Sequence, residues 1–207
     1  MPWNAKTYGA YARDSQEAIE NGLECVTLLL SLGWTTNSAS AVWANIGFEG
    51  GYNPWRWESD DVLPVGDWRI DDQTAGRTHG YGLPQFTIPS KYLYAPSAQS
   101  DPDYAPNYSN LSGQPHDGAS QLRFIDGHAD YIPTASYPLS FADFKVSTQT
   151  PEYLASAWLY NYERPLTPSA TVEARKREAR YWFDLWGGIT PTQRKKFKYW
   201  LYCRRRF

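Results

Sequence analysis

The sequence predicts a mainly α member of the α+β class, with a small antiparallel hairpin or sheet set between helices. Three observations carry this. Apolar residues recur at helical spacing before position 50 and again after position 118. The intervening residues 58–116 lack that spacing and are rich in Asp, Pro, Gly, Tyr and Ser. Within them, residues 68–72 and 80–87 read as two short strands.

Taken in order, residues 1–14 form an aromatic, irregular lead-in. Asp14 and Glu17 have capping-box spacing, and the helix they open carries Ile19, Leu23, Val26 and Leu30 before stopping at Gly33. A second helix starts with Asn37 or Ser38 as cap and carries Val42, Ile46 and Glu49 on one face. Gly50 and Gly51 end it, as a glycine pair ends many helices. The prolines at 96, 102, 106 and 115 mark a long surface loop after the strands, and loops of that length are often functional. Residues 119–131 then return to helical spacing, with Leu122, Ile125 and Ala129 on one face. Thr150 with Pro151 opens the next helix, which runs past Leu154 and Trp158 toward Glu163 and stops at Pro165. Thr167 with Pro168 repeats that start for a helix carrying Val172, Ala179, Trp182, Phe183 and Trp186. Thr190 and Pro191 open a last one, in a strongly basic stretch from 188 to 207.

At 207 residues the chain fits one domain, here 15–187, with a lead-in and a basic C-terminal helix or tail. Aromatic residues make up 16%, including 10 Trp and 16 Tyr, which suits polymer recognition and equally an aromatic core or interface. The net charge of -2 argues against a general nucleic-acid binder. The basic end reads first as a solvated helix face and second as a hold on an anionic surface. Cys25 and Cys203 do not make a disulfide framework. Together with His79, His116 and His128 they have no metal-ligand spacing, so neither a metal nor another cofactor is expected. The N-terminus lacks the pattern of a secretory signal, and the longest apolar run, 26–32, is too short to span a membrane.

The chemistry concentrates around Glu49. A carboxyl that continues an apolar stripe and sits at the negative end of a helix is expected to hold its proton more readily than one in water. Such a group is suited to general-acid catalysis. Tyr52, Trp55 and Trp57 follow it, with flat faces of the kind that pack on sugar rings.

Three separated segments then form a set: GFEGGYNP at 47–54, HGYGLPQFT at 79–87 and WLYNYERP at 158–165. With the QLRFI helix at 121–125 they resemble, in order and spacing, the lysozyme-like domain of bacteriophage tail proteins. The resemblance covers roughly residues 15–187 and extends more distantly to lytic transglycosylases and goose-type lysozymes. It implies a lysozyme-like fold and cleavage of the β-1,4 bond between N-acetylmuramic acid and N-acetylglucosamine in bacterial peptidoglycan. It makes Glu49 the catalytic acid and Tyr52, Trp55, Tyr81, Gln85, Tyr160 and Asn161 candidate sugar contacts. It implies a place in the virion tail, with other tail proteins as partners, or in the host cytoplasm and wall at lysis.

Two departures stand out. Pro84 replaces a methionine of the transglycosylase pattern, and Gly50 replaces the usual serine after the glutamate. Glycoside hydrolysis usually also needs a second carboxylate, and Glu58, Asp60, Asp61 and Asp67 are the candidates, with Asp71 and Asp72 nearby. If none reaches the bond, one glutamate can serve as acid and then base while the sugar's 6-hydroxyl attacks. An endolysin, a lytic transglycosylase and an inactive glycan-binding or structural virion module remain open at this point. Glu163 and Arg164 are expected as a buried ion pair tying the last helices together, in preference to a catalytic role.

Overall fold

A computed structural model of the chain describes residues 3–6, 9–54, 56, 80, 82–86 and 117–187. Of the described residues 62% are helical and 1% strand, and no hairpin or sheet is found among them. The expected α+β class with a small antiparallel sheet is thereby corrected to a helical fold. The strand expected over 80–87 is a tight turn where it is described. Gly82 and Gln85 both have positive φ, 82° and 50°, which an extended strand does not tolerate. The partner strand at 68–72 lies outside the described residues, as does everything after 187.

Six α-helices are described: α1 Gln16–Ser31, α2 Thr36–Glu49, α3 Asp117–His128, α4 Phe141–Val146, α5 Pro151–Trp158 and α6 Val172–Gly187. A π turn, Leu159–Glu163, prolongs α5, and a 3-10 turn, Pro168–Ala170, precedes α6. The first cap is Ser15, whose hydroxyl accepts from the Ala18 amide at 3.2 Å, one residue past the Asp14 expected for it. α1 stops at Gly33 (φ 90°), where Gly33 donates to Leu30 and Trp34 to Leu29 in a Schellman pattern. The cap of α2 is Thr35, whose Oγ1 accepts from the Ser38 amide at 3.1 Å. Asn37 and Ser38, the expected caps, instead donate to the carbonyls of Gln149 and Phe144.

The chain divides into two compact units, the first of residues 1–21 and 46–128, the second of 22–45 and 129–207. In the first, Ala18, Ile46, Tyr52, Leu83, Phe86, Leu122 and Ile125 are buried, and Trp3 packs over Gly118. The second has an aromatic core. Trp182 stacks on Trp186 at 4.9 Å and meets Trp43 edge-on at 6.3 Å. Gly22 makes room for both neighbours, since a Cβ there would lie 2.6 Å from Trp186 and from Trp43. Much of the tryptophan excess is therefore core. Cys25 is fully buried and burial pushes its thiol up, which suits a packing residue and not a nucleophile.

In the same unit α4 escapes the sequence pattern because six residues are too few to show a period. It is fixed by Ser140, which accepts from the Asp143 amide, and by Phe144 in the core. Thr150 and Pro151 open α5 as expected, the threonine accepting from the Tyr153 amide at 3.2 Å. Thr167 makes no side-chain cap. Among the described residues no helix is long and apolar enough to cross a membrane.

Candidate active site

Glu49 is the last residue of α2 and is half-buried. The chain turns sharply after it. The Gly50 amide still donates to Ile46 at 2.8 Å, and then Gly51 and Tyr52 both take left-handed φ, 56° and 59°. A tyrosine in that conformation is uncommon and needs support. Here its side chain is 4% exposed, and its ring lies against Gly47, where any side chain would overlap it. Its carbonyl accepts from Asn21 Nδ2 at 2.9 Å. Tyr52 is thus a packing residue that locks the turn, and its ring is not open to a sugar.

Asn53 continues the lock. It is fully buried, and its Nδ2 donates to the carbonyls of Lys6 at 2.9 Å and Gly9 at 3.0 Å. The Tyr11 amide donates to Gly51 at 2.8 Å. The lead-in is therefore sewn to the segment that follows Glu49, which its irregular composition did not reveal.

The second segment meets the first directly. A side chain at Gly50 would overlap the carbonyl oxygens of Gly82 and Leu83, so only glycine allows this approach. The Gly82 amide donates to Arg56 at 2.9 Å. Gln85 Nε2 donates to Arg56 at 3.1 Å and to Gly82 at 2.8 Å, so the amide nitrogen of this candidate sugar contact is spent on closing its own turn. Arg56 Nη1 in turn donates to the Glu49 carbonyl at 3.3 Å, placing a cation at the negative end of α2. Sequence reading passed over Arg56; the available signal was a lone cation shortly after a helix end. Gln121, fully buried, donates from Nε2 to Pro54 at 2.8 Å and accepts at Oε1 from the Leu83 amide at 2.7 Å.

The third segment belongs to the second unit. Tyr160 is half-buried and stacks on Tyr137 at 5.3 Å. Asn161 is fully buried; its Oδ1 accepts from the Thr134 amide at 3.1 Å and hydroxyl at 2.9 Å, and its Nδ2 donates to Tyr137 at 2.8 Å. These bonds pin the 131–137 loop. Asn161→Ala is expected to lower stability by about 2 kcal/mol, or roughly 5 °C in Tm, because it strands partly buried backbone groups. Thermal denaturation checks this; an unchanged Tm with weakened glycan affinity would return Asn161 to the substrate.

The expected Glu163–Arg164 pair is corrected. Arg164, in left-handed conformation (φ 49°), pairs with Asp130 at 2.7 Å on the surface, while Glu163 accepts from the Trp158 indole at 2.8 Å. The left-handed turn before Pro165 swings the two side chains to different partners.

Trp55, Trp57, Tyr81, Glu58, Asp60, Asp61, Asp67, Asp71 and Asp72 lie outside the described residues. Among the described residues no group of three His, Cys, Asp or Glu side chains is placed to hold a metal ion. The site as described is a half-buried carboxyl on a rigid helix end, braced by Arg56 and by a turn that Gln121 holds.

Two comparisons bear on this arrangement. Over 183 residues the chain is 29% identical to Morphogenesis protein 1 of Bacillus phage B103. The match takes in 86% of the chain but 42% of that relative, so the chain spans less than half the length of that curated relative. The phage tail lysozyme family model matches residues 20–186, which include Glu49, the 82–85 turn, Gln121 and the π turn. The chain belongs to the phage tail lysozyme family.

Proposed function

We propose that the chain is a muramidase that cleaves the β-1,4 bond between N-acetylmuramic acid and N-acetylglucosamine of peptidoglycan, with Glu49 as general acid. The observation that carries this is the setting of Glu49: it ends α2, half-buried, in a turn held by the lead-in, Asn21, Arg56, Gln121 and the 82–85 turn. A general acid must be held within hydrogen-bond reach of the leaving oxygen, and a carboxyl on a braced helix end meets that demand better than one on a loop. Residues 15–187 are the catalytic domain in this reading, and the basic residues after 188 an appendage to it.

The second group is a carboxylate from the segment after Trp57, with Glu58, Asp60, Asp61 and Asp67 as candidates to activate the attacking water. Gln85, with Trp55 and Tyr81, supplies the sugar contacts in this reading. The name of the relative, a phage morphogenesis protein, supports a virion location and other tail proteins as partners, and hence wall opening at genome entry.

The reaction is tested by mass spectrometry of the fragments released from purified walls. New reducing ends on N-acetylmuramic acid are expected. Products ending in 1,6-anhydro sugars would make the enzyme a transglycosylase, and products cut only in the peptide would end the glycosidase reading.

A further inference from the structure

We propose that Gln121 is a positioning residue for the Glu49 carboxyl, an inference that rests on the reading of Glu49 as the acid. Gln121 lies on the stripe of α3 that also buries Leu122 and Ile125, and it is fully buried itself. A polar side chain there loses its water and must be repaid by hydrogen bonds. Both ends of the amide are used, each on the backbone of a distant segment: Nε2 on the Pro54 carbonyl at 2.8 Å and Oε1 on the Leu83 amide at 2.7 Å. The two partners dictate the residue type. The carbonyl needs a donor and the amide an acceptor, at the reach of a glutamine. A carboxylate offers acceptors alone, a methionine fills the volume without either bond, and an asparagine is one methylene short.

The consequence passes to Glu49 by two routes. Gly82 and Leu83 abut Gly50, the residue after Glu49, so closely that no side chain fits between them. Gly82 also donates to the carbonyl of Arg56, whose guanidinium holds the carbonyl of Glu49 itself. A turn released from Gln121 shifts the backbone on which both of these contacts depend. A displacement of about 1 Å at a reacting group costs on the order of 100-fold in rate.

The test uses Gln121→Glu and Gln121→Met with soluble peptidoglycan glycan strands, at temperatures well below the melting point of each variant. Activity is expressed per folded molecule, with the folded fraction measured by circular dichroism. Both variants are expected to lose about 10- to 100-fold in kcat at neutral pH with little change in KM. In Gln121→Glu the loss should shrink, relative to wild type, as acid restores an O–H donor to the carboxyl; in Gln121→Met it should not. Should Gln121→Met fail to fold, Gln121→Asn carries the same comparison. Wild-type kcat in the folded variants would confine Gln121 to stability and overturn the inference. Glu49→Gln is assayed alongside. If it keeps wild-type kcat, the acid assignment falls and this inference with it; if it is inactive while the Gln121 variants are unimpaired, this inference alone falls.

Discussion

Gly50→Ala is expected to destabilise the protein by about 3 kcal/mol and to lower its Tm by roughly 5–10 °C. The added methyl overlaps two backbone carbonyl oxygens, those of Gly82 and Leu83. Side-chain neighbours can rotate aside, but these oxygens belong to a turn tied by Arg56 and Gln121, so relief requires moving the turn. Glycine is needed here for room, because the obstacle is the neighbouring backbone. Gly50→Ser should behave alike. Activity should fall with stability, since the displaced turn adjoins Glu49. The check is thermal denaturation with wall clearing in parallel; a variant with native Tm and native clearing would show that the two segments do not meet as described.

The helix end that carries Glu49 was legible in the sequence. Glu49 at a helix end and the Gly50–Gly51 stop follow from short-range patterns, because a helix stripe and a glycine stop are local properties; the grouping of the 47–54 and 79–87 segments rests on the family resemblance. Thr150 with Pro151 was legible for the same reason. What escaped depends on partners far along the chain. Residues 80–87 read as a strand because Tyr81 and Leu83 alternate with Gly80 and Gly82, yet the described part turns because Arg56 and Gln121 claim its amides. Three neighbouring polar residues compete to cap α2; all three donate to distant carbonyls, and Thr35 also accepts from the Ser38 amide.

The candidate sugar contacts illustrate the same limit. Tyr52 carries a flat ring, but Gly47 leaves a space that the ring fills, and a sequence does not state which surface a ring will cover. Asn161 has the polarity of a sugar ligand and spends it on the 131–137 loop. Gln121 was readable as an anomaly, a polar residue on an apolar stripe, but its two partners lie 67 and 38 residues away.

Glu49→Gln has the largest expected effect on activity. The substitution keeps the shape of the side chain and removes its ionisable proton. The contacts that hold the turn involve the backbone of this residue and its neighbours: Arg56 on the Glu49 carbonyl, Gly50 on Ile46 and Tyr11 on Gly51. These survive the change, so the variant should fold with a Tm within about 2 °C of wild type, as substitutions that spare such contacts do. A loss of activity then reports chemistry. A positioned general acid contributes on the order of 100- to 10,000-fold. The direct measurement is the rate at which purified cell walls are cleared by wild type and by Glu49→Gln, with wall binding measured on the same preparations. A rate at least about 100-fold slower, with binding retained, is the predicted result. Equal clearing by the two proteins would contradict it and remove Glu49 from the reaction.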